Sequence, residues 1–415
     1  MRKIILSVAV AAMALSTAAS ALEDIKVNGQ AKLWYETNDK ASNSLFNRDG
    51  ASGEVVFKLG MTGKQGNVGF GTTIYQTSSM GLEGNAINAY RTDVTNGDMF
   101  VGEAYVTAPM GSMTSLKLGK QELNTPYLFT ETWNALPNTF NAAVVTVKPV
   151  ADLSLVAMYV GQDSTDNGAY PNAKWKSDGN VDEPLFGGSE VFGALYKSSA
   201  FDVNAWYTHI SNALGTNTGA AATGYTGGTK VNTYWIDAGT KIADINLRAY
   251  ATMFDADILP DTTKAFALSA GTKVGDFDLF AAGSTVSKKG DHDVANISTG
   301  GKKSSLPTEG VYTDGMYVAQ NDSTAVKLKV STKVGSTGIA LQGVNNTSDK
   351  VNTTGYSDYV NGAKSYETTE FDLFLTDKFG DFSTTAILMH RSFKDDATDD
   401  KAGGFYARFI VALNF

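Results

Sequence analysis

The stretch that decides the fold is the last one, residues 405–415: Phe405-Tyr406-Ala407-Arg408-Phe409-Ile410-Val411-Ala412-Leu413-Asn414-Phe415. Phe405, Ala407, Phe409, Val411, Leu413 and Phe415 share one parity, and Tyr406, Arg408, Ile410, Ala412 and Asn414 take the other. Side chains alternate across a strand, so one face is apolar throughout while the opposite face is mixed and charged. A soluble sheet rarely ends on an exposed aromatic with every second residue greasy. A strand with lipid on one side and a polar interior on the other has this pattern.

The opposite end reads MRKIILSVAVAAMALSTAASA over residues 1–21. Arg2 and Lys3, then the apolar run Ile4 to Leu15, then Ala19-Ser20-Ala21 are the parts of a secretory signal peptide, cleaved near Ala21. The apolar run is too short for a membrane anchor. No cysteine is present, which excludes disulfides and thiolate metal sites. After the leader, no apolar run approaches the length of a transmembrane helix. A bilayer protein without such helices has one option, a closed barrel, because backbone groups in lipid must bond internally. The net charge of −9 argues against nucleic acid and suggests a pore with a mild cation preference.

Working back from the terminal strand, 404–415, runs with one apolar parity recur in pairs across short turns. Residues 25–37 open the series, with Ile25, Val27, Ala31, Leu33 and Tyr35 on one face. Then come 53–62 with 67–77, 98–108 with 114–121, 140–148 with 152–161, and 190–198 with 200–210. The series continues with 231–241 and 244–254, 263–273 and 276–286, 323–333 and 337–345, and 369–377 and 381–391. Most links between pairs are longer: 38–52, 78–97, 122–139, 162–189, 211–230, 287–322 and 346–368. Short turns on one side and long loops on the other define an all-β, transmembrane antiparallel β-barrel with short periplasmic turns and long outer loops. The count is eighteen, which places both termini in the periplasm; weak alternation at 67–77, 190–198 and 263–273 leaves sixteen open. A soluble β-sandwich would show the same alternation, but this length, link pattern and terminal Phe disfavour it.

Residues 117–149 are the most distinctive internal stretch, with Leu118-Gly119-Lys120-Gln121, Asn124-Thr125-Pro126-Tyr127 and Leu136-Pro137-Asn138-Thr139-Phe140. They resemble the third loop of OprD-type porins and of the related major outer-membrane porins of epsilon-proteobacteria. The opening VNGQAKLWYET and the terminal FYARFIVALNF look like the same group, and the ending on Phe415 resembles the assembly signal of outer-membrane barrels. The resemblance implies an eighteen-stranded barrel spanning 22–415, often a homotrimer, whose loop 122–139 folds inward to narrow the pore. It further implies passage of ions and small hydrophilic solutes in the cell outer membrane, against lipid and lipopolysaccharide, and no cofactor.

Parity directs Lys32, Glu36, Glu54, Lys58, Glu103, Lys117, Asp202, Arg248, Asp278, Lys327, Lys329, Asp372, Arg391 and Arg408 into the lumen. A Lys or Arg at mid-membrane on the lipid face would cost about 2–4 kcal/mol. The selectivity candidates are Glu122 and Glu131 on the inward loop, with Lys117, Arg248, Arg391 and Arg408 facing them; opposed charges would set up a transverse field. Trp34, Tyr35, Tyr75, Tyr105, Tyr159, Trp206, Tyr207, Tyr234, Trp235, Phe405 and Phe415 lie near strand ends, where interfacial girdles belong, although some of them must point inward.

Two other function classes compete. His209-Ile210-Ser211-Asn212 resembles the His and Ser pattern of outer-membrane phospholipases, which also need an Asn. A surface adhesin or structural barrel is the second, because loops 162–189 and 287–322 are long and polar enough to hold partners. The acidic run Asp395-Asp396-Ala397-Thr398-Asp399-Asp400 would attract calcium, though without EF-hand spacing.

Overall fold

The computed structural model describes residues 22–39, 44–47, 50–78, 99–163, 188–211, 230–257, 261–290, 293–299, 303–349, 365–395 and 402–415. The leader at 1–21, the interiors of links 78–97, 162–189, 211–230 and 346–368, His292, and Asp396 to Asp400 lie outside them.

Alternation is realised as eighteen strands. They are β1 (Glu23–Asn38), β2 (Ala51–Gln65), β3 (Val68–Ser78), β4 (Met99–Pro109), β5 (Thr114–Gln121) and β6 (Phe140–Val150). Next come β7 (Leu153–Asp163), β8 (Ser189–Lys197), β9 (Phe201–Ile210), β10 (Val231–Ile242), β11 (Ile245–Ala256) and β12 (Thr263–Val274). The last are β13 (Phe277–Val286), β14 (Ser323–Val334), β15 (Thr337–Ser348), β16 (Tyr366–Phe379), β17 (Phe382–Asp395) and β18 (Ala402–Asn414). The weakly alternating segments form β3, β8 and β12, so the sixteen-strand alternative falls. The largest boundary shifts are on β16 and β17, which extend at the long-loop end through Glu367 and Lys394. Polar residues stand on both faces there, so apolar parity loses its signal while the ladder continues.

Each strand pairs antiparallel with its sequence neighbours, and β1 pairs with β18 to shut the barrel. That seam runs from Gln30↔Asn414 to Asn38↔Tyr406. Beyond it, Gly29 and Phe415 exchange backbone hydrogen bonds at 2.6 and 3.0 Å. The terminal aromatic therefore caps the seam, with its ring 5.9 Å from that of Phe57. No edge is left for unpaired backbone groups, which is what closure achieves.

Cross-strand partners share a face, so the register carries inwardness around the barrel. Trp34↔Glu54, Lys58↔Tyr75, Thr73↔Glu103, Gly239↔Arg248, Gln342↔Asp372 and Glu370↔Arg391 face the lumen. Every charge expected inside lies on that face. The outer face carries Phe266, Leu268, Leu328 and Phe371, more than half exposed. A soluble barrel would bury these residues and display the charges, so the molecule is inverted relative to one.

Five two-residue hairpins at the opposite end, those other than Ala151-Asp152, turn on Gly66-Asn67, Ala243-Asp244, Gly275-Asp276, Gly335-Ser336 and Gly380-Asp381. The first residue of each is left-handed, with φ between 52° and 62°, as tight hairpins of native twist require. Ala243, at φ 52°, holds the conformation that glycine holds in the other four. Ala243→Gly should therefore stabilise the barrel by about 0.5–1 kcal/mol. Urea titration of the barrel in lipid vesicles checks this, and an equal or lower midpoint would contradict it.

Candidate functional site

A loop that enters a barrel brings backbone N–H and C=O groups with no ladder to join, and each needs a partner. Loop 122–139, between β5 and β6, supplies some of its own. Thr125 Oγ1 donates to Leu128 O at 2.8 Å and accepts from Leu128 N at 3.0 Å, closing a turn on Pro126-Tyr127. The turn carries Tyr127 to the far wall. Its hydroxyl meets Thr252 Oγ1 on β11, and its ring stands edge-on to Trp235 at 6.2 Å and beside Phe254 at 6.1 Å. Ala135 and Leu136 of the same loop pack on Trp34, Val56 and Tyr75 of β1 to β3. The loop thus touches the wall at β1 to β3 and again at β10 and β11.

The described part of link 287–322, between β13 and β14, also folds inward, which corrects its reading as an outer partner-binding loop. Polar composition was the signal for that reading, but polarity here satisfies backbone inside the barrel. Asn296 Nδ2 donates to Phe129 O at 2.9 Å and to Glu131 Oε1 at 3.2 Å. Ile297 N donates to Tyr127 O at 2.9 Å, and Ser305 Oγ to Pro126 O at 2.9 Å. From the first loop, Asn138 accepts from Glu131 N and donates to both Phe129 O and Ser298 Oγ. The two loops are therefore zipped into one body.

Wall charges hold the second loop. Glu370 on β16 accepts from Val311 N at 2.5 Å, Tyr312 N at 3.0 and 3.1 Å, and Thr313 N at 2.5 Å. Arg391 on β17 donates to Tyr312 O at 3.1 Å, and Lys327 on β14 to Glu309 O at 2.5 Å. The Tyr312 ring lies 4.5 Å from that of Tyr406 and 5.4 Å from the Arg408 guanidinium, whose other neighbour is Trp34 at 4.6 Å.

Most of the selectivity candidates are therefore committed to structure. Glu131 is fully buried and accepts from Asn296 and Asn134. Arg248 pairs with Asp202 and Asp237, and Asp237 also accepts from Trp235 Nε1 at 2.8 Å, so this cluster braces the ring that Tyr127 rests on. Arg408 pairs with Glu36 at 2.7 Å, and Arg391 is buried against Tyr312 and Tyr317. Lys117 and Glu122 differ. Lys117 lies over the Tyr105 ring at 3.8 Å, and burial followed by the Glu103 charge raises the Glu122 carboxyl, with Lys58 and Lys117 opposing. Glu370, Tyr312 and Asn296 were not singled out from sequence. Glu370 shares the inward parity of Asp372, so its direction was legible while its partner was not.

The aromatics near strand ends divide between the two faces. Trp34, Tyr75 and Trp235 are buried under the loops, and register turns Tyr105 and Trp206 inward as well. Tyr159, Tyr234, Phe405 and Phe415 stand exposed on the outer face. Position near a strand end does not decide the side; parity does.

On that outer face His209 Nδ1 lies 2.9 Å from Asn232 Oδ1, an asparagine that the sequence alone did not place. Tyr207 OH donates to the same oxygen, and Ser211 Oγ donates to Gly188 O at 3.3 Å.

No family model matches the sequence, and no curated protein does. Solved structures do. OccAB1 of Acinetobacter baumannii superposes with a TM-score of 0.71 at 16% identity, covering 95% of this chain and 97% of that one. OpdK of Pseudomonas aeruginosa, solved with vanillate, gives 0.68 at 14% identity over 94% and 98%. OccK2 (OpdF) of Pseudomonas aeruginosa, in complex with glucuronate, gives 0.65 at 13% over 94% and 98%. The likeness is one of fold. At that level the resemblance to OprD-type porins, read from the two ends and residues 117–149, holds.

Glu309 sits deep in the second loop, where burial lifts its carboxyl from an ordinary 4.5 up to about 8, against the pull of Lys303. The folded loop then binds a proton that the free loop releases, so its packing weakens as pH rises through the window from 4.5 to about 8. Limited proteolysis of the loop should accelerate across that window, and Glu309→Gln should flatten the profile. A wild-type rate independent of pH would contradict this.

Proposed function

We propose that the chain is an outer-membrane channel through which small hydrophilic solutes, chiefly those bearing a carboxylate, diffuse past a constriction made by the two inward loops. The apolar outer face supports the membrane setting: a closed barrel with lipid outside and charge inside meets both solvents. The leader at 1–21 would direct export.

One observation carries the solute class. Lumen carboxylates are largely engaged, Glu36 by Arg408, Asp202 and Asp237 by Arg248, Glu370 by loop backbone, and Asp372 by Gln342. Lys32, Lys58, Lys117 and Lys329 line the lumen with no carboxylate in salt-bridge range among the described residues. Three of them have an aromatic ring nearby: Lys58 near Tyr75, Lys117 over Tyr105 and Lys329 near Phe374. Less committed on the acidic side are Glu122, Asp278 near the short turns, and Glu103, which accepts from Thr73. The charge set against aromatic rings along the passage is thus basic, although the whole chain carries −9. Glucuronate and vanillate, found with two of the fold neighbours, are both carboxylates.

The cation preference suggested by net charge is the rival reading, with Glu103 and Glu122 as its carriers. Expected partners are outer-membrane lipid, lipopolysaccharide and, in a homotrimer, two further copies. The shallow outer grooves lined by Ala270, Ala281, Gly343 and Leu341 suit acyl chains or a neighbouring barrel.

In planar bilayers under a KCl gradient, the zero-current potential should show anion preference. Replacing Lys58 and Lys329 together with Gln should cut the anion-to-cation ratio by a factor of about 2–3. A cation-selective wild type would favour the rival, and no conductance at all would favour a structural barrel or adhesin.

A further inference from the structure

The second loop reaches the barrel wall through a segment of five residues, Glu309 to Thr313. That segment belongs to no strand or helix, and its one internal turn bond runs from Gly310 N to Thr313 O at 2.9 Å. Three successive N–H groups, of Val311, Tyr312 and Thr313, converge on a single carboxylate, that of Glu370, which has no solvent exposure. Consecutive backbone donors of this kind make a concave anion seat. The other charged groups near that carboxylate are accounted for. Arg391 is its cross-strand partner but reaches Tyr312 O, Lys327 reaches Glu309 O, and Asp372, which accepts from Gln342, stands beside it within hydrogen-bond reach of both Glu370 and Val311 N. The loop backbone, and not a basic side chain, therefore compensates the buried charge of Glu370.

The seat is also shaped for it. A Cβ added at Gly310 would stand 2.6 Å from Glu370 Oε1, so a larger residue there must push the carboxylate and the seat apart. The segment carries Tyr312, whose ring bridges Tyr406 and the Arg408 guanidinium on β18. Where the segment sits decides where that ring projects into the lumen.

We propose that Glu370 is the positioning residue of the constriction: its carboxylate seats the 310–313 backbone against β16 and thereby fixes how far Tyr312 and the second loop project into the passage. The role is separate from selectivity, because Glu370 is buried under the loop and does not meet solute. A wall without the negative charge no longer holds the segment, and the passage widens. This rests on the channel reading, and the same recording tells the two apart. A silent wild type removes the channel reading, whereas a conducting wild type with unaltered variants removes only the role of Glu370.

The experiment is single-channel recording of the full chain in planar bilayers, with heat-modifiable gel mobility reporting a closed barrel. Folded Glu370→Ala should raise conductance by about twofold or more, with Glu370→Gln, which keeps one acceptor oxygen, falling between. Gly310→Ala displaces the seat from the loop side with every wall charge intact, so it gives the answer even where Glu370→Ala does not fold. It should widen the passage likewise. Acetate, a free carboxylate of the right size, should lower the conductance of Glu370→Ala toward wild type, and neutral acetamide should not. Wild-type conductance in either folded Glu370→Ala or folded Gly310→Ala would overturn the proposal, as would equal effects of acetate and acetamide.

Discussion

The constraint on which everything else depends is that backbone N–H and C=O groups away from water must find partners. On the outside of the molecule it explains the closed ladder. Eighteen strands pair in sequence order and β1 meets β18, leaving no edge. Inside, the same constraint recurs where no ladder is available. The loops between β5 and β6 and between β13 and β14 are held by side chains. Amides of Asn138 and Asn296 join the loops to each other, and the charged ends of Glu370, Arg391 and Lys327 join the second loop to the wall. Hydrogen bonds to charged groups contribute about 1.5–3 kcal/mol each, and leaving a buried donor without a partner costs a similar amount. That difference keeps a loop inside a wide barrel.

This division of labour explains why, in a lumen rich in both signs, the arginines are engaged while several lysines stand outside ion pairs among the described residues. Arg248, Arg391 and Arg408, which look in sequence like selectivity charges, are spent on Asp237, Tyr312 and Glu36. Arginine suits that work, since its planar fork can pair and stack at once; Arg408 does so between Glu36, Trp34 and Tyr312. Lysines are left over. Lys32, Lys58, Lys117 and Lys329 are compact charges on flexible stems, and under the proposed function they are the groups that would make and break contact with a passing carboxylate.

The barrel was legible because period two is a property of sequence alone, and a charge on the wrong face is costly enough to make parity reliable. Strands such as β3, β8 and β12 were weak in sequence because small and polar residues stand on their apolar parity, yet their neighbours' ladders demand them. The inward course of residues 122–139 came from resemblance rather than from physics. That of 293–299 and 303–322 is not legible, because Asn296, Ser305 and Thr313 read the same whether water or a neighbouring loop satisfies them. Parity assigned Glu370, Arg391 and Trp235 a direction but no partner. A partner depends on a loop many strands away, which no local pattern encodes. Asn232, held against His209, was invisible for the same reason.

The central claim is that the lumen contains both a solvated basic wall and a loop body sealed against that wall. The chain has no cysteine, so single cysteines can report each surface without background. The direct measurement is the rate at which a small charged thiol reagent modifies Lys58→Cys, Glu131→Cys and Leu268→Cys in lipid vesicles. The account predicts fast modification at position 58 and protection at position 131 by the loops and at position 268 by lipid. Modification at 131 as fast as at 58 would mean that the loops do not pack as described, and would contradict it.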